Sequence, residues 1–246
     1  MSARGVLILA LLRDYLIFNI LTLFPEFFES PLKTGLMGKA AESGIIRIEL
    51  IDIRDFSENK HRRCDDYPYG GGSGMVLTPG PVFKAIESVK KDNVPLLLTS
   101  PAGRVLDRDF IKEFSKKEEI SIVCGSYEGV DQRIIDRYID YEISIGDYVL
   151  SGGEFAALVI VNTLSRCLPG FMSNASSLDE ESFEENLLEY PHYTRPREID
   201  GISVPEILLS GDHEKIRLWR KAQSIEKTKR VRPDLYNKYI ERITGD

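Results

Sequence analysis

Three short apolar runs in this chain each end on a glycine-containing loop, and each loop leads into a segment with helical spacing. Val94 to Thr99 runs into the loop Thr99-Ser100-Pro101-Ala102-Gly103-Arg104 and then into Arg108 to Lys117. Ile120 to Cys124 runs into Gly125-Ser126-Tyr127-Glu128-Gly129 and then into Gln132 to Arg137. Tyr141 to Ile145 runs into a loop from Gly146 to Gly152 and then into the long apolar stretch Gly153 to Leu168. Upstream, Tyr15 to Leu23 and Ile45 to Ile53 read as strands, and Pro25 to Lys33 and Pro81 to Lys91 as helices. Strands separated by helices of this length need crossover connections, which make neighbouring strands parallel. The expected fold class is therefore α/β, a parallel sheet with crossover helices.

The pattern changes after Gly170. From Met172 to Glu189 the chain is polar and acidic, with no Lys or Arg, and reads as a flexible linker. Beyond it, Asp212 to Glu226 and Pro233 to Ile240 have helical spacing, and Lys215, Arg217, Arg220, Lys221, Lys227, Lys229, Arg230 and Arg232 gather there. The expected organisation is an N-terminal extension (1–14), a main domain (15–171), a linker (172–189) and a small helical domain (190–246). The apolar stretch Gly5 to Leu12 is broken by Arg13-Asp14 and is too short to span a bilayer, so no membrane partner is expected.

With 42% hydrophobic and 29% charged residues among 246, a packed globular protein is expected and disorder is not. A net charge of -7 argues mildly against a polyanionic partner unless charge is concentrated locally, as it is in the C-terminal helices. The three cysteines, Cys64, Cys124 and Cys167, are widely spaced and read as small buried apolar residues in a reducing, cytoplasmic setting.

In an open α/β sheet, ligands bind beyond the carboxyl ends of the strands, so the three loops are expected to line one pocket. Backbone amides together with Ile145, Tyr148, Val149 and Leu150 suit an adenine ring better than a triphosphate. A fourth loop runs from His61 to Met75 and holds Arg62, Arg63, Asp65, Asp66, Tyr69, Gly70, Gly71, Gly72 and Gly74. No Lys follows these glycines, so the phosphate loop of nucleotide hydrolases is absent, but the charged residues before them point to a binding loop.

The motifs ILTLFPE, HRRCDDYPYGGGSGM, SPAGR, CGSYEGVD, SIGDYVLSGGE, SRCLPG, PHYTRP and VPEILLSGDHEKIRLWR, in that order from about Phe18 to near Pro233, resemble the bacterial tRNA (guanine-N1)-methyltransferases of the SPOUT superfamily. The resemblance implies a trefoil knot at the C-terminal end of the main domain. It also implies a homodimer with active sites at the subunit interface, and methyl transfer from S-adenosyl-L-methionine to the guanosine at position 37 of tRNA. By motif, Gly125 and Ile145, Gly146, Asp147, Tyr148, Val149 and Leu150 would bind the methyl donor. Leu98, Ser100, Pro101, Tyr127, Glu128, Gly152 and Gly153 would shape its pocket. Glu181 and Arg166 would form the catalytic pair, and Glu128 matches the position linked to Mg2+. His61, Arg62, Asp65, Asp66, Tyr69, Gly70, Gly71 and Gly72 would meet the RNA substrate. Two positions depart from the family pattern: Ser126 stands where an arginine is usual, and Glu181 where an aspartate is.

Removing the N1 proton of guanine while charge grows on O6 needs a base and a cation, which a carboxylate and a guanidinium supply. Three other readings stand beside this one: a SPOUT methyltransferase with another RNA target, a non-catalytic RNA-binding protein of the same fold, and a nucleotide-dependent enzyme of the doubly wound class.

Overall fold

The computed structural model describes residues 15–172 and 182–245. The proposed N-terminal extension, Glu181 and most of the acidic stretch before it lie outside these residues. The chain divides into two compact units, Met1–Ser173 and Asn174–Asp246.

The first unit is built on a five-stranded sheet. Its strands are β1 (Leu16–Thr22), β2 (Ile46–Asp52), β5 (Leu96–Val105), β6 (Glu119–Cys124) and β7 (Tyr141–Ser144). They lie in the order β2-β1-β6-β5-β7, and every pair is parallel. The remaining short strands are β3 (Asp65–Asp66) with β4 (Val76–Leu77), and β8 (Glu198–Ile199) with β9 (Ile202–Ser203) in the second unit, each an antiparallel pair. Among the described residues, seven α-helices accompany them: α1 (Gly35–Glu42), α2 (Pro79–Val89), α3 (Arg108–Phe114), α4 (Gln132–Tyr138) and α5 (Glu154–Ser165), then α6 (His213–Val231) and α7 (Pro233–Thr244).

Side chains of a strand alternate between faces, so the two faces of the sheet bury different sets. Leu16, Phe18 and Ile20 of β1 join Ile120, Ile122 and Cys124 of β6 under α1, α3 and α5. On the other face, Leu21, Leu98 and Val123 meet Val82, Ala85 and Ile86 of α2 and Ile134 of α4. Asn19 is buried on β1, and its amide donates to Glu119 Oε1 (2.7 Å) and Ser121 Oγ (3.2 Å), so the polar group is satisfied. α5 is apolar on nearly every side, with Ala156, Ala157, Ile160, Val161 and Leu164 buried.

Two elements differ from expectation. Pro25 to Lys33 is not one helix but two 3-10 turns, Pro25–Phe28 and Pro31–Lys33, with prolines at their first positions. A proline at residue 31 has no N–H for a continuing helix, so the chain restarts and forms α1 only after Thr34. The loop from Ser100 to Arg104 lies within β5: both Thr99 and Arg104 pair with Ile143, so the residues between them bulge out of the ladder. Cys64 and Cys124 are buried as expected, whereas Cys167 is exposed, just beyond the end of α5.

The second unit has a thin core. Among the described residues only Leu187, Leu235 and Tyr239 are buried apolar side chains there. Ser182 to Glu189, part of the acidic stretch, packs on α6: Leu188 N donates to Thr228 Oγ1 (2.8 Å), and Lys227 Nζ donates to the Glu189 carbonyl (3.0 Å). Glu185 pairs with Lys221 and, at 3.4 Å, with Arg242.

Candidate active site

The carboxyl ends of β5, β6 and β7 converge on a cavity of about 480 Å³. It is lined by Leu98, Ser100 and Pro101 from the β5 bulge, and by Gly125, Tyr127 and Glu128 after β6. Ile145, Gly146, Tyr148, Val149, Leu150, Gly152 and Gly153 after β7 complete the expected set, and Asp147 is exposed and outside the lining. Thr99, Ser126 and Glu142 also line it. Thr99 and Ser126 fall within two of the expected loops without having been singled out, and Glu142 was passed over because it looks like an ordinary strand residue.

The three loops are bonded to one another. Gly125 N donates to Thr99 Oγ1 (3.0 Å), and Gly153 N donates to the Gly125 carbonyl (2.7 Å). A Cβ on Gly153 would lie 2.0 Å from Thr99 Oγ1 and 2.6 Å from Gly125 N, and one on Gly125 would lie 2.5 Å from the Thr99 carbonyl oxygen. These two glycines are therefore required by contact between loops, before any ligand enters.

Glu154, the first residue of α5, is 5% exposed, and its Oε1 accepts from Thr22 Oγ1 (2.8 Å) at the end of β1. Thr22 Oγ1 also accepts from Phe24 N (3.0 Å), so α5, β1 and the chain after β1 are tied at one buried point. Burial, together with the nearby Glu154 charge, pushes the Cys124 thiol well above its usual pKa, which makes it an inert core residue.

The His61 to Met75 loop ends against the loop after β6. Glu128 N donates to the Met75 carbonyl (2.9 Å) and Leu77 N to the Gly129 carbonyl (2.9 Å). The backbone at Gly74 runs so close to the Glu128 side chain that a Cβ there would lie 2.4 Å from its Cγ. Asp65 and Asp66 form β3, paired with β4. Gly70, Gly71 and Gly72 have positive φ and open space around them, Tyr69 is fully exposed, and His61 is exposed. Arg62 is not a free cation: its guanidinium pairs with Asp52 (2.9 Å) and with Asp55, so it holds the base of the loop. Arg166 is half-buried at the C-cap of α5.

Only Glu128 and Glu142 are charged among the residues lining the cavity, and both are acidic. Among the described residues, no three His, Cys, Asp or Glu side chains gather as a metal ligand set. Glu128, the residue matched to Mg2+, is one of the two carboxylates of the cavity, and no chemical step is routed through that ion.

A family model described as tRNA (Guanine-1)-methyltransferase TrmD matches residues 16–238. The chain belongs to the tRNA (Guanine-1)-methyltransferase family. Three proteins named tRNA (guanine-N(1)-)-methyltransferase illustrate the similarity. The one from Clostridioides difficile is 49% identical over 92% of this chain and 99% of the relative. That from Caldicellulosiruptor saccharolyticus is 53% identical over 90% and 91%. That from Borreliella burgdorferi is 52% identical over 93% and 96%. The family match spans the sheet, the cavity, α6 and the first half of α7.

Proposed function

We propose that the chain transfers a methyl group from S-adenosyl-L-methionine to N1 of the guanosine at position 37 of tRNA, working as a cytoplasmic homodimer. The observation that carries this reading is the charge of the cavity. It holds two carboxylates and no Lys or Arg. A triphosphate would meet only repulsion there, whereas the cationic sulfonium and ammonium of the methyl donor would be attracted. That difference favours the family activity over a nucleotide-dependent enzyme. Leu98, Ile145, Val149 and Leu150 supply apolar surface for an adenine ring, and the crowded glycine loops supply backbone polar groups.

When bound, S-adenosyl-L-methionine supplies an electrophilic methyl group, and the protein's task is alignment. Glu181 takes the N1 proton of guanine, and Arg166 offsets the charge that grows on O6. The loop from His61 to Gly72 meets the RNA, with Tyr69 and the open glycines presented to it, and Asp147 borders the cofactor from outside the lining. The segment from Ser144 to Gly153 leaves the edge strand β7 and returns to Thr99 and Gly125 near the sheet centre, a path that supports a trefoil knot. Phe155 (51% exposed) and Val159 (39%) on α5, with the Phe27 ring 4.8 Å from that of Phe155, form an apolar surface that supports the dimer. Free cysteines support a reducing compartment, and no helix among the described residues is long and apolar enough to cross a membrane.

The test is Glu181→Gln against Glu180→Gln, with the methylated position mapped on the tRNA. Glu181→Gln should lower the rate on the order of 10²-fold with cofactor and tRNA affinity kept, and Glu180→Gln should do little. Methylation at another nucleotide would redirect the reading to another RNA target, and absence of methyl transfer in the unaltered chain would remove it.

A further inference from the structure

We propose that the second unit carries its own pocket for a single unstacked nucleobase of the RNA. This rests on the tRNA reading above but concerns a different part of the molecule. The pocket has a volume of about 390 Å³ and lies between the segment Tyr190 to Arg197 and the first half of α6. Val204, Leu208 and Ile216 give it an apolar floor. Its wall is aromatic: the Tyr190 and His192 rings lie 4.9 Å apart, and Tyr193, 48% exposed, lies 6.4 Å from Trp219. Half-exposed rings over an apolar floor are a stacking surface, and single-stranded RNA is recognised by stacking splayed bases on aromatic rings or guanidinium planes.

Charge points to the same place. On α6, Lys215 pairs with Asp212, Arg217 with Glu214 and Lys221 with Glu185. Arg197, at the rim, pairs with Glu206 (2.6 Å). Two arginines of the pocket, Arg195 and Arg220, have no carboxylate partner among the described residues. The Arg220 guanidinium instead sits 4.6 Å from the centroid of the Tyr190 ring, extending the stacking surface with a positive plane. His192 is bonded to Glu189 (2.8 Å), which leaves a hydrogen-bonded imidazole facing the same space. In a chain of net charge -7, uncompensated guanidinium groups in an aromatic cleft fit a base with its attached phosphate.

The experiment uses the full chain and an in vitro transcribed tRNA in which single-stranded positions are made abasic one at a time. Tyr193→Ala should weaken tRNA binding about tenfold, the scale of one stacked base, and Tyr193→Phe should restore it. One abasic position should cost the unaltered protein the same factor and cost Tyr193→Ala nothing further. The only tryptophan, Trp219, should change its fluorescence when intact tRNA binds, and less when that abasic RNA binds. Unchanged affinity in Tyr193→Ala overturns the proposal. So does a loss that adds to the Tyr193→Ala loss at every abasic position, which would assign the cleft to phosphate or to a protein partner. S-adenosyl-L-methionine affinity, followed by calorimetry, should stay the same in all variants. Failure of the unaltered chain to bind tRNA would remove the functional reading itself, a result distinct from failure of the pocket alone.

Discussion

The two units bury their interiors differently. The first is a parallel sheet with two apolar clusters, one on each face. The second has three buried apolar side chains among its described residues and is bound together by ion pairs, backbone contacts and guanidinium or ammonium groups over tyrosine rings. A sheet covered on both sides fixes loop positions to the accuracy that chemistry needs. A small unit with little core depends more on charge, and its helices carry a cluster of basic side chains. The first unit is suited to holding a reaction geometry, and the second to holding a polyanion.

The strongest way to break this contrast lies at Gly153. Gly153→Val places atoms against Thr99 and Gly125, inside contacts that no side-chain movement relieves. It should abolish cofactor binding and cost roughly 2–4 kcal/mol of stability in the first unit, with the second unit's transition unchanged. Calorimetry and thermal melting would check it, and retained affinity would mean that the loop cluster is softer than its geometry.

Core truncation sharpens the comparison. Ile160→Ala in the middle of α5 should cost about 2–5 kcal/mol while the first unit still folds cooperatively. Leu187→Ala should instead erase the second unit's cooperative transition, because it removes one of only three buried apolar side chains there. Equal losses in both units would show that the ion pairs contribute less than supposed.

Acid comes next. In the second unit, hydrogen bonds from Lys221, Lys215 and Arg217 hold Glu185, Asp212 and Glu214 below the usual carboxylate range, and Arg232 brings Asp234 to about 2. A depressed pKa in the folded state contributes stability above the unfolded value, and that contribution is lost as pH falls through the folded value. The second unit should therefore loosen between about pH 4.5 and 2, ahead of the first, whose two apolar clusters do not titrate. Trp219 fluorescence against far-ultraviolet circular dichroism would separate the two transitions.

The smallest effect is expected on the surface of α6. Lys229 and Arg230 have no carboxylate partner among the described residues, unlike Lys215, Arg217, Lys221 and Arg232. Reversing both to Glu should weaken tRNA binding and reduce the slope of log affinity against log salt by about 2. An unchanged slope would place the RNA elsewhere.

Much of this was legible in the amino-acid sequence. Runs such as Ile120 to Cys124 and Val94 to Thr99 announce buried strands because both faces of a parallel sheet are apolar. Cavity residues such as Gly125 and Ile145 were legible for a related reason, since loops at strand ends must converge. Less legible was why the glycines are there. Gly125 looked like a site of close cofactor approach, and its Cβ would in fact meet the Thr99 carbonyl. Arg62 was legible as a charged loop residue, but not its partners Asp52 and Asp55, which the end of β2 and the turn that follows bring to it. The burial of Glu154 likewise depends on Thr22, a residue far away in sequence. Helix α1 escaped notice because it is short and begins and turns on glycines, Gly35 and Gly38.

The bulge in β5 has a kinetic consequence. Thr99 and Arg104 both pair with Ile143, so the excursion carrying Ser100 and Pro101 is clamped at its two feet on one edge residue. That wall cannot swing open without tearing the sheet margin, an event with the slow timescale of local unfolding. The segment from Gly146 to Ser151 has no such clamp, and Val149 at its crest is 83% exposed. Of these two walls, this is the one that can move without breaking strand pairing.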